Sequence, residues 1–390
     1  MGEIAVFSKG VGYSKNDLCE EGTPIILYGR LYTKYETCIF DVDTFVKEKA
    51  GSVYSKGGEV IVPASGETAE DISIASVVVK PGILLGGDLN IVSPTAEYDS
   101  AFLALTISSG ATHKHLSSLA QGKSVVHLHN SDIQSVSAKF PTKREQEKIH
   151  LIFGKIDTLI TLHQRKYDKL QVLKKAMLEK MFPKNGSSVP EIRFKGFTDA
   201  WEQRKLGEVA NLLTGFPFES KKFVREGIKL VRGMNVKRGY LDFSEELCEC
   251  WSSSQGLENY LLNSGDILIQ MDGALIGKSY AKIKENQLPA LLVQRVTRVR
   301  IQNQISDGSF VYQQIQKGFL TYIKGTKTET AVPHLSLNDI ESFEIATPSV
   351  DEEKKIGAFF ESLDHLITLH QRELEKLQNI KKSMLEKMFV

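Results

Sequence analysis

The segment LITLHQR occurs twice in this chain of 390 residues, at 159–165 and again at 366–372. Each copy is followed by MLEKMF, at 177–182 and 384–389, so an offset of 207 residues relates the two copies. Aligned without gaps at that offset, 141–182 and 348–389 share 24 of 42 residues. A repeat of this length predicts that one structural unit has been duplicated within the chain.

The same offset persists outside the repeated segment, where the sequences have diverged. GEVIV at 58–62 aligns with GDILI at 265–269, and VVHLHNSDI at 125–133 aligns with VPHLSLNDI at 332–340. The polar stretch KNGSSVP at 184–190 has the composition of a linker. The sequence therefore predicts four parts: a globular domain at 1–140, a helix at 141–183, a linker with a second domain at 184–347, and a second helix at 348–390.

The repeated segment has the pattern of a long helix of roughly 35 to 40 residues, or about 50–60 Å at 1.5 Å per residue. Pro141 and Pro348 each precede a Thr or Ser with Glu three residues further on, the start of a capped helix. Residues spaced by seven then form a seam in each copy. The seam consists of Ile149, Ile156, His163, Leu170 and Met177 in the first copy, and Ile356, Leu363, His370, Leu377 and Met384 in the second.

Five consecutive seam positions favour a coiled coil over an ordinary surface helix. Because a globular part separates the two helices, we expect them to pair antiparallel. The alternative, two amphipathic helices that each pack only on their own domain, remains open at this stage. His163 and His370 occupy matching positions, where a polar residue that fixes the register is favoured over a ligand or a catalytic group.

The globular parts are predicted to be mixed α/β domains, which gives an α+β fold with an internal pseudo-twofold repeat. Short apolar runs bounded by glycine-rich turns indicate strands, at 24–27, 60–62, 74–79, 227–231, 266–269 and 291–299. Helical patterns occur near 101–107 and 310–323.

The composition is that of a soluble globular protein, with 41% hydrophobic and 25% charged residues. We expect no membrane span and no secretion signal, because no apolar run approaches 18 residues and the N-terminus lacks an apolar core. Four cysteines without a Cys-x-x-Cys spacing predict neither a disulfide framework nor a zinc site. A cytoplasmic, reduced protein is expected.

The net charge of +1 is unevenly distributed. Residues 1–140 carry a net charge of −5, whereas 141–189 carry +6. Nine basic and three acidic residues lie between 204 and 240. Such segregation predicts a basic face on the second domain without a basic protein.

The sequence has no phosphate-binding loop, no nucleophile elbow and no His-Glu-x-x-His, each of which is a signature of an enzyme. Two His-x-His pairs, His113 with His115 and His127 with His129, would each share one face of a strand and could bind zinc. Polar or phosphate-facing strand residues are favoured over a metal site, because the second copy keeps only His334 of the four. No metal and no catalytic residue are predicted.

The repeated helices, together with FKGFTDAWEQRKLGEVA at 194–210, resemble the specificity subunits of type I restriction–modification enzymes over nearly the whole chain. The resemblance implies a subunit without catalysis of its own. Each target-recognition domain would read one half of a split double-stranded DNA sequence, and the paired helices would set the gap. Two modification subunits would dock around the helices, and restriction subunits would join them. S-adenosylmethionine, ATP and Mg would be bound by those partners, and this chain would bind no cofactor.

The first copy departs from the pattern at its start. The lead-in RFKGFTDAWEQRKL at 193–206, with Phe197 and Trp201, has no counterpart, because Met1-Gly2-Glu3 aligns with Gly207-Glu208. Two explanations are open, a naturally short start and a trimmed N-terminus.

Basic and amide side chains in loops are the candidates for DNA contact, since Lys and Arg bind phosphates while Arg, Asn and Gln read base edges. In the second domain the loops at 214–222, 232–238, 270–278 and 325–330 are predicted to face DNA, through Lys221, Lys222, Arg232, Asn235, Lys237, Arg238, Gln270, Lys278, Lys327 and Thr328. In the first domain the matching segments are 8–15, 30–34, 64–66 and 112–123, with Lys9, Tyr13, Ser14, Lys15, Arg30, Lys34, Ser65, His113, Lys114 and Lys123.

Two other classes of function are weighed against this one. A non-catalytic coiled-coil adaptor, or a DNA-binding protein without a role in restriction, would show no sequence preference in a footprint on random DNA. An independent enzyme would methylate or cut DNA without partners.

Overall fold

The computed structural model describes residues 1–122, 125–184, 186–273, 275–326 and 334–389. The chain forms two compact units, the first made of Met1–Arg165 with Gln371–Val390 and the second of Lys166–His370. The division runs through both long helices, Lys143–Lys180 and Val350–Met388. Since the units divide the chain at other places, the four-part division at 140, 183 and 347 stays a prediction.

The first unit is built on a five-stranded sheet. Its strand order is Ala5–Lys9, Leu89–Pro94, Glu59–Pro63, Ser76–Val78 and Cys38–Ile39. The first four strands pair antiparallel, and the last pairs parallel with its neighbour. Smaller sheets contain Leu18–Cys19, Phe45–Val46, Thr23–Ile26 and Leu84–Leu85, and Ser65–Gly66 with Val126–His127. Helices lie at Arg30–Thr33, Ala69–Ile72, Ser100–Ile107, Gly110–Leu119 and Asn130–Ser135.

The second unit has a four-stranded antiparallel sheet with the order Ala210–Thr214, Val296–Ile301, Ile267–Gln270 and Tyr280–Lys282. Smaller sheets contain Cys250–Trp251, Ile228–Val231 and Ala290–Leu292, and Glu202–Lys205 with Glu344–Thr347. Its α-helices are Leu206–Val209, Gly308–Gln314, Leu320–Thr326 and Leu337–Glu341, with a π-helical turn at Ile315–Phe319.

The two units repeat one topology. The first four strands of the sheet in unit 1 match, in the same order, the four strands in unit 2. Each unit also has one parallel pair outside that sheet, Thr23–Ile26 with Leu84–Leu85 and Ile228–Val231 with Ala290–Leu292. The predicted α+β class and internal repeat are confirmed, and every run predicted to be a strand overlaps a strand of the structure.

In unit 1 the end of the second long helix packs antiparallel on the start of the first. The ring of Phe389 lies 6.1 Å from that of Phe153, and Lys381 Nζ lies 2.5 Å from Asp157 Oδ1. Later residues of one helix therefore meet earlier residues of the other. Phe389 also lies 5.2 Å from Phe102, which joins the helix pair to the core of the domain.

Unit 2 contains the other halves of the helices, packed in the same way. The ring of Phe182 lies 5.8 Å from that of Phe360, and Lys174 Nζ lies 2.6 Å from Asp364 Oδ1. Asp157 and Asp364 are related by the offset of 207, as are Lys174 and Lys381, so the two ion pairs are copies of one contact. Burial of the two rings contributes about 1.5–3 kcal/mol each. The predicted antiparallel coiled coil is confirmed, and the alternative of two unpaired helices is wrong.

The lead-in of the second copy, at 193–206, packs against the start of the second long helix. Its strand Glu202–Lys205 pairs antiparallel with Glu344–Thr347, and the buried ring of Trp201 lies 5.6 Å from that of Phe310. Arg193 donates from Nε and Nη2 to the two carboxylate oxygens of Glu352, at 2.7 Å each. Glu145, the counterpart of Glu352 in the first helix, is exposed.

Candidate nucleic-acid interface

Three of the four loops predicted to face DNA in unit 2 come together around one end of the four-stranded sheet. Gln270 is the last residue of Ile267–Gln270. Its Nε2 lies 3.3 Å from the position that a Cβ atom on Gly233 would occupy, so Gly233 of the 232–238 loop lies against it. Gln294 donates its backbone N–H to Phe216 O at 2.9 Å, which joins the 214–222 loop to the same end. The guanidinium of Arg232 lies 5.8 Å from the ring centroid of Phe223.

The basic side chains of this surface differ in solvent exposure and in ion pairing, and therefore in their access to a polyanion such as DNA. Lys221, Lys222, Arg238 and Lys278 are exposed. Lys222 is paired with Glu219 at 2.9 Å, a surface pair that salt and ligands displace at little cost. Burial raises the pKa of Tyr280, and a hydrogen bond from Arg238 opposes that rise.

Other candidates in unit 2 are held by the protein itself. Arg232 is half-buried and donates from Nη2 to Leu247 O at 2.8 Å. Asn235 is fully buried, accepts from the backbone N–H of Arg232, and donates to Asp242 O and Leu247 O. These bonds favour a role for Asn235 in shaping the loop over contact with a base. Lys237 and Gln270 are half-buried.

In unit 1 the segments 8–15, 30–34 and 64–66 are also neighbours. Asn130 donates from Nδ2 to Ser8 O at 2.9 Å, and Tyr32 donates its hydroxyl proton to Ser65 O at 2.7 Å. Lys15 Cε lies 3.9 Å from the position that a Cβ atom on Gly29, the residue before the 30–34 segment, would occupy. Three of the four loops predicted from the sequence therefore lie close together in each unit.

The individual candidates of unit 1 are less accessible than those of unit 2. Lys9, Ser14 and Lys15 are exposed, and Lys34 is exposed but paired with Asp43 at 3.0 Å. The side chain of Arg30 is largely buried between Glu36, at 2.6 Å, and Asp43, at 3.1 Å. The geometry favours an internal role for this arginine, in keeping with the negative charge of the domain.

Two neutral donors of unit 1 point inward. Tyr13 is buried, with its hydroxyl 2.6 Å from Ser52 Oγ and accepting from the backbone N–H of Lys49. Ser65 is buried at the start of Ser65–Gly66. Their predicted contact with DNA stays a prediction, but their geometry favours support of the loops.

The histidine prediction is wrong for the first His-x-His pair. His113 and His115 lie on the helix Gly110–Leu119 and not on a strand. This segment buries Thr112 and Leu116, which are four residues apart and share one face of the helix. His113 Nδ1 lies 2.8 Å from Ser73 O, and Lys114 is exposed on the same helix. Of the second pair, His127 ends the strand Val126–His127 and its ring stacks on that of His129. Among the described residues, no three His, Cys, Asp or Glu side chains form a group able to hold a metal.

All ten predicted seam residues are buried or half-buried, including His163 and His370. Lys123, Lys327 and Thr328 lie outside the described residues. No helix in the described ranges combines the length and the apolar run that a membrane crossing requires. All four cysteines are free thiols.

Some exposed side chains on or next to these loops are absent from the residues predicted to contact DNA. In unit 2 they include Arg225, Met234, Tyr240, Leu275 and Arg295. Tyr240 follows Lys237 and Arg238 closely, and an aromatic residue beside basic residues is a usable signal for nucleic-acid contact. Arg295 stands out only by its backbone conformation, a positive φ angle, which its residue type does not predict.

Comparisons with known proteins agree with this architecture. Residues 198–379 match the family model described as type I restriction modification DNA specificity domain. The type I restriction enzyme MjaVIII specificity subunit of Methanocaldococcus jannaschii is 24% identical over 87% of this chain and 80% of its own length. The EcoAI specificity subunit of Escherichia coli is 30% identical over 45% of this chain and 30% of its own length.

The fold is that of a solved structure, the S subunit of the type I restriction-modification system from M. genitalium. That structure has a TM-score of 0.68 and 16% identity, and the match covers 100% of this chain and 94% of that chain. Two α/β domains with duplicated antiparallel helices are the fold that this chain shares with that structure. Residues 198–379 thus match the type I restriction modification DNA specificity domain, and most of the chain is similar to a type I restriction enzyme specificity subunit, in keeping with the resemblance seen in the sequence.

Proposed function

We propose that this specificity subunit reads a bipartite double-stranded DNA target in the cytoplasm, one half with each recognition domain, and that its helices set the gap. The observation that carries the proposal is the pair of matched contacts, Asp157 with Lys381 and Lys174 with Asp364. The helices have kept equivalent ion pairs, whereas the loops around the sheets have diverged in sequence. Such a division is expected when the helices serve one purpose twice and the domains read different half-sites.

The helices are further proposed to dock two modification subunits. Leu159 and Leu162 of the first helix are exposed, and so are their counterparts Leu366 and Leu369 in the second. Solvated leucines at repeated positions support a pair of equivalent apolar surfaces, and equivalent surfaces suit two identical partners. Restriction subunits would join this assembly.

Chemistry is assigned to those partners. S-adenosylmethionine would be bound by the modification subunits, and ATP and Mg by the restriction subunits. The present chain would bind no cofactor and would act by positioning DNA, for which phosphate contacts supply affinity and base contacts supply sequence choice.

A domain swap tests the proposal. Residues 190–347 are replaced by the corresponding domain of another specificity subunit, the chimera is co-expressed with the modification partner, and modified sites are mapped across the genome. One half-site is expected to change while the other half-site and the gap are kept. Exchange of 1–140 is the matched control and should change the opposite half-site.

Two outcomes would contradict the proposal. A change in both half-sites after one swap would refute the assignment of one half-site to each domain. An assembled complex that modifies no defined sequence, together with an unselective footprint on random DNA, would indicate an adaptor instead.

A further inference from the structure

Asp88 and Arg295 occupy the same position in the two repeats and share an unusual backbone conformation. Their φ angles are +59° and +69°, and among the described residues they are the two non-glycine residues with positive φ. L-residues adopt this left-handed region at a cost that glycine avoids. Neither repeat has a glycine here, which suggests that a side chain at this turn has a use.

The turn rests on the same hydrogen-bonded frame in both units. In each unit the carbonyl oxygen of the turn residue accepts a hydrogen bond from the residue that directly follows a strand of the main sheet. The carbonyl oxygen of that second residue accepts in turn from a residue two positions before a short helix. The bonds are Ala64 N to Asp88 O at 2.8 Å and Leu128 N to Ala64 O at 3.1 Å in unit 1, and Met271 N to Arg295 O at 2.9 Å and Leu335 N to Met271 O at 2.7 Å in unit 2.

This frame places the turn among the loops that were assigned to DNA. Arg295 follows Gln294, whose backbone binds Phe216 of the 214–222 loop. Met271 follows Gln270 directly. The side chain of Arg295 is 65% exposed, and Asp88 is exposed as well. Both side chains are therefore displayed on the loop surface rather than packed inside.

An ion pair does not explain the conformation. Arg295 Nη1 lies 2.5 Å from Asp272 Oδ2, and Asp272 is only 19% exposed. In unit 1 the positions that match Asp272 and Arg295 hold Ser65 and Asp88, so the acid–base pair is missing while the left-handed turn persists. The pair orients the arginine, but the turn forms without it.

We propose that this turn carries a base-reading side chain in each domain, Arg295 for guanine and Asp88 for cytosine. The inference rests on the proposed function and names residues that determine its specificity. Arginine forms paired hydrogen bonds to guanine O6 and N7 in the major groove, and aspartate accepts from cytosine N4. A phosphate contact is disfavoured, because a carboxylate at the same position of unit 1 would repel phosphate.

The remaining donors of Arg295 suit this role. The bond to Asp272 occupies Nη1, which leaves the edge formed by Nε and Nη2 for two parallel bonds to one base. Each half-site is accordingly expected to contain one G·C pair whose identity depends on the turn.

The test uses the full chain co-expressed with its modification partner, and modified sites are mapped genome-wide. Glutamine and asparagine pair with adenine N6 and N7. Arg295→Gln should therefore change one guanine to adenine in one half-site, and Asp88→Asn should change one cytosine to adenine in the other. Arg295→Gly and Asp88→Gly suit a positive φ and protect the fold. Each should relax its position to all four bases.

Lys284→Gln is the matched control. Lys284 is exposed and follows Ile283, which bonds to Asp266 at the end of the Ile267–Gln270 strand remote from Gln270. This variant should leave the target unchanged.

The possible failures are distinguishable. A defined bipartite target that neither glycine variant alters would overturn the base-reading turn and leave the proposed function standing. Modification lost altogether in Arg295→Gly, with normal thermal stability and an active Lys284→Gln, would show that Arg295 supplies affinity and not base choice. The absence of any defined target in the unsubstituted complex would overturn both.

Discussion

Gln146 and Glu353 occupy the same place in the two halves of the molecule, yet only one of them can ionise. Each is 1% exposed near the start of a long helix. Gln146 Oε1 accepts from the backbone N–H of Asp99 at 2.9 Å, and Glu353 Oε2 accepts from that of Asp307 at 2.7 Å. Each of these aspartates caps the helix that follows it. The junction between domain and helix is thus built alike in both units.

Glu353 makes the second junction sensitive to pH. Burial raises the pKa of Glu353 to about 7 from an ordinary value of 4.5, although hydrogen bonds from Ser306 and Asp307 oppose the shift. Because the folded state holds this proton more tightly, stability should fall as pH rises from about 4.5 to 7 and stay low above that. Glu353→Gln should therefore stabilise unit 2 by roughly 1–3 kcal/mol at pH 8 and have little effect at pH 4.5.

Denaturant unfolding at the two pH values measures this difference. Gln146 shows that an amide fits the site, since its Nε2 donates to Pro141 O at 2.8 Å, and Pro348 is the matching acceptor. The reciprocal variant Gln146→Glu should introduce the same pH dependence into unit 1. An equal effect of Glu353→Gln at pH 4.5 and pH 8 would contradict the prediction.

The bidentate pair of Arg193 and Glu352 should be the most costly ion pair to break from one side. Glu352 is 0% exposed and the side chain of Arg193 is 12% exposed. Arg193→Ala would leave a buried carboxylate without its partner, at a cost of about 3–5 kcal/mol. Thermal unfolding of the variant measures the loss.

Replacement of both partners tests the origin of that cost. Arg193→Met with Glu352→Leu should restore most of the stability, because no charge is then left buried. Lys184→Ala serves as the control, since Lys184 pairs with Glu191 at the surface, and it should cost less than about 1 kcal/mol. Similar losses for Arg193→Ala and Lys184→Ala would refute the argument.

Exchange of charges between Asp157 and Lys381 tests the helix register. Asp157→Lys alone places two lysines together in a half-buried contact, and it also removes an acceptor of the Thr37 hydroxyl. Adding Lys381→Asp should recover a coupling energy of roughly 0.5–3 kcal/mol, measured by a double-mutant cycle. The copy of this contact, Lys174 with Asp364, should respond alike. Coupling near zero at both places would show that the ion pairs do not hold the helices.

The exposed leucines predict the number of partners. Substitution of Leu159 and Leu162 by Ser should leave the fold intact, because both are solvated, while one of two modification subunits is lost. The mass of the complex in analytical ultracentrifugation reports the stoichiometry. Phe40→Ser, at an exposed apolar position outside the long helices, is the control. A complex of unchanged mass would contradict the docking surface.

Several features of the structure followed directly from the sequence. A seven-residue seam is a local property, so the long helices and their buried positions could be predicted from residues such as Ile156 and Leu363. The repeat then favoured an antiparallel helix pair over two unpaired helices, because a globular part separates the two matching seams. Strand positions were predictable for a similar reason, because buried strands are short apolar runs.

Side-chain roles in the loops were less predictable. The sequence predicts Asn235, Tyr13 and Ser65 as neutral groups for DNA contact, and all three are buried in the structure. The sequence predicts Arg30 as a basic DNA contact, and in the structure its charge is held between Glu36 and Asp43. Residue type gives hydrogen-bonding capacity, but the direction of a side chain depends on which distant segments lie beside it.

The sequence by itself determined the duplication and the helices, because periodicity and repetition lie along the chain, and it favoured their antiparallel pairing, which the tertiary contacts then decided. Only the tertiary structure decided which loops meet, which polar groups turn inward, and that Asp88 and Arg295 share a left-handed turn on one repeated frame. Those features depend on backbone hydrogen bonds between segments far apart in sequence, such as Met271 to Arg295 and Leu335 to Met271. Such bonds leave no pattern in the order of residues.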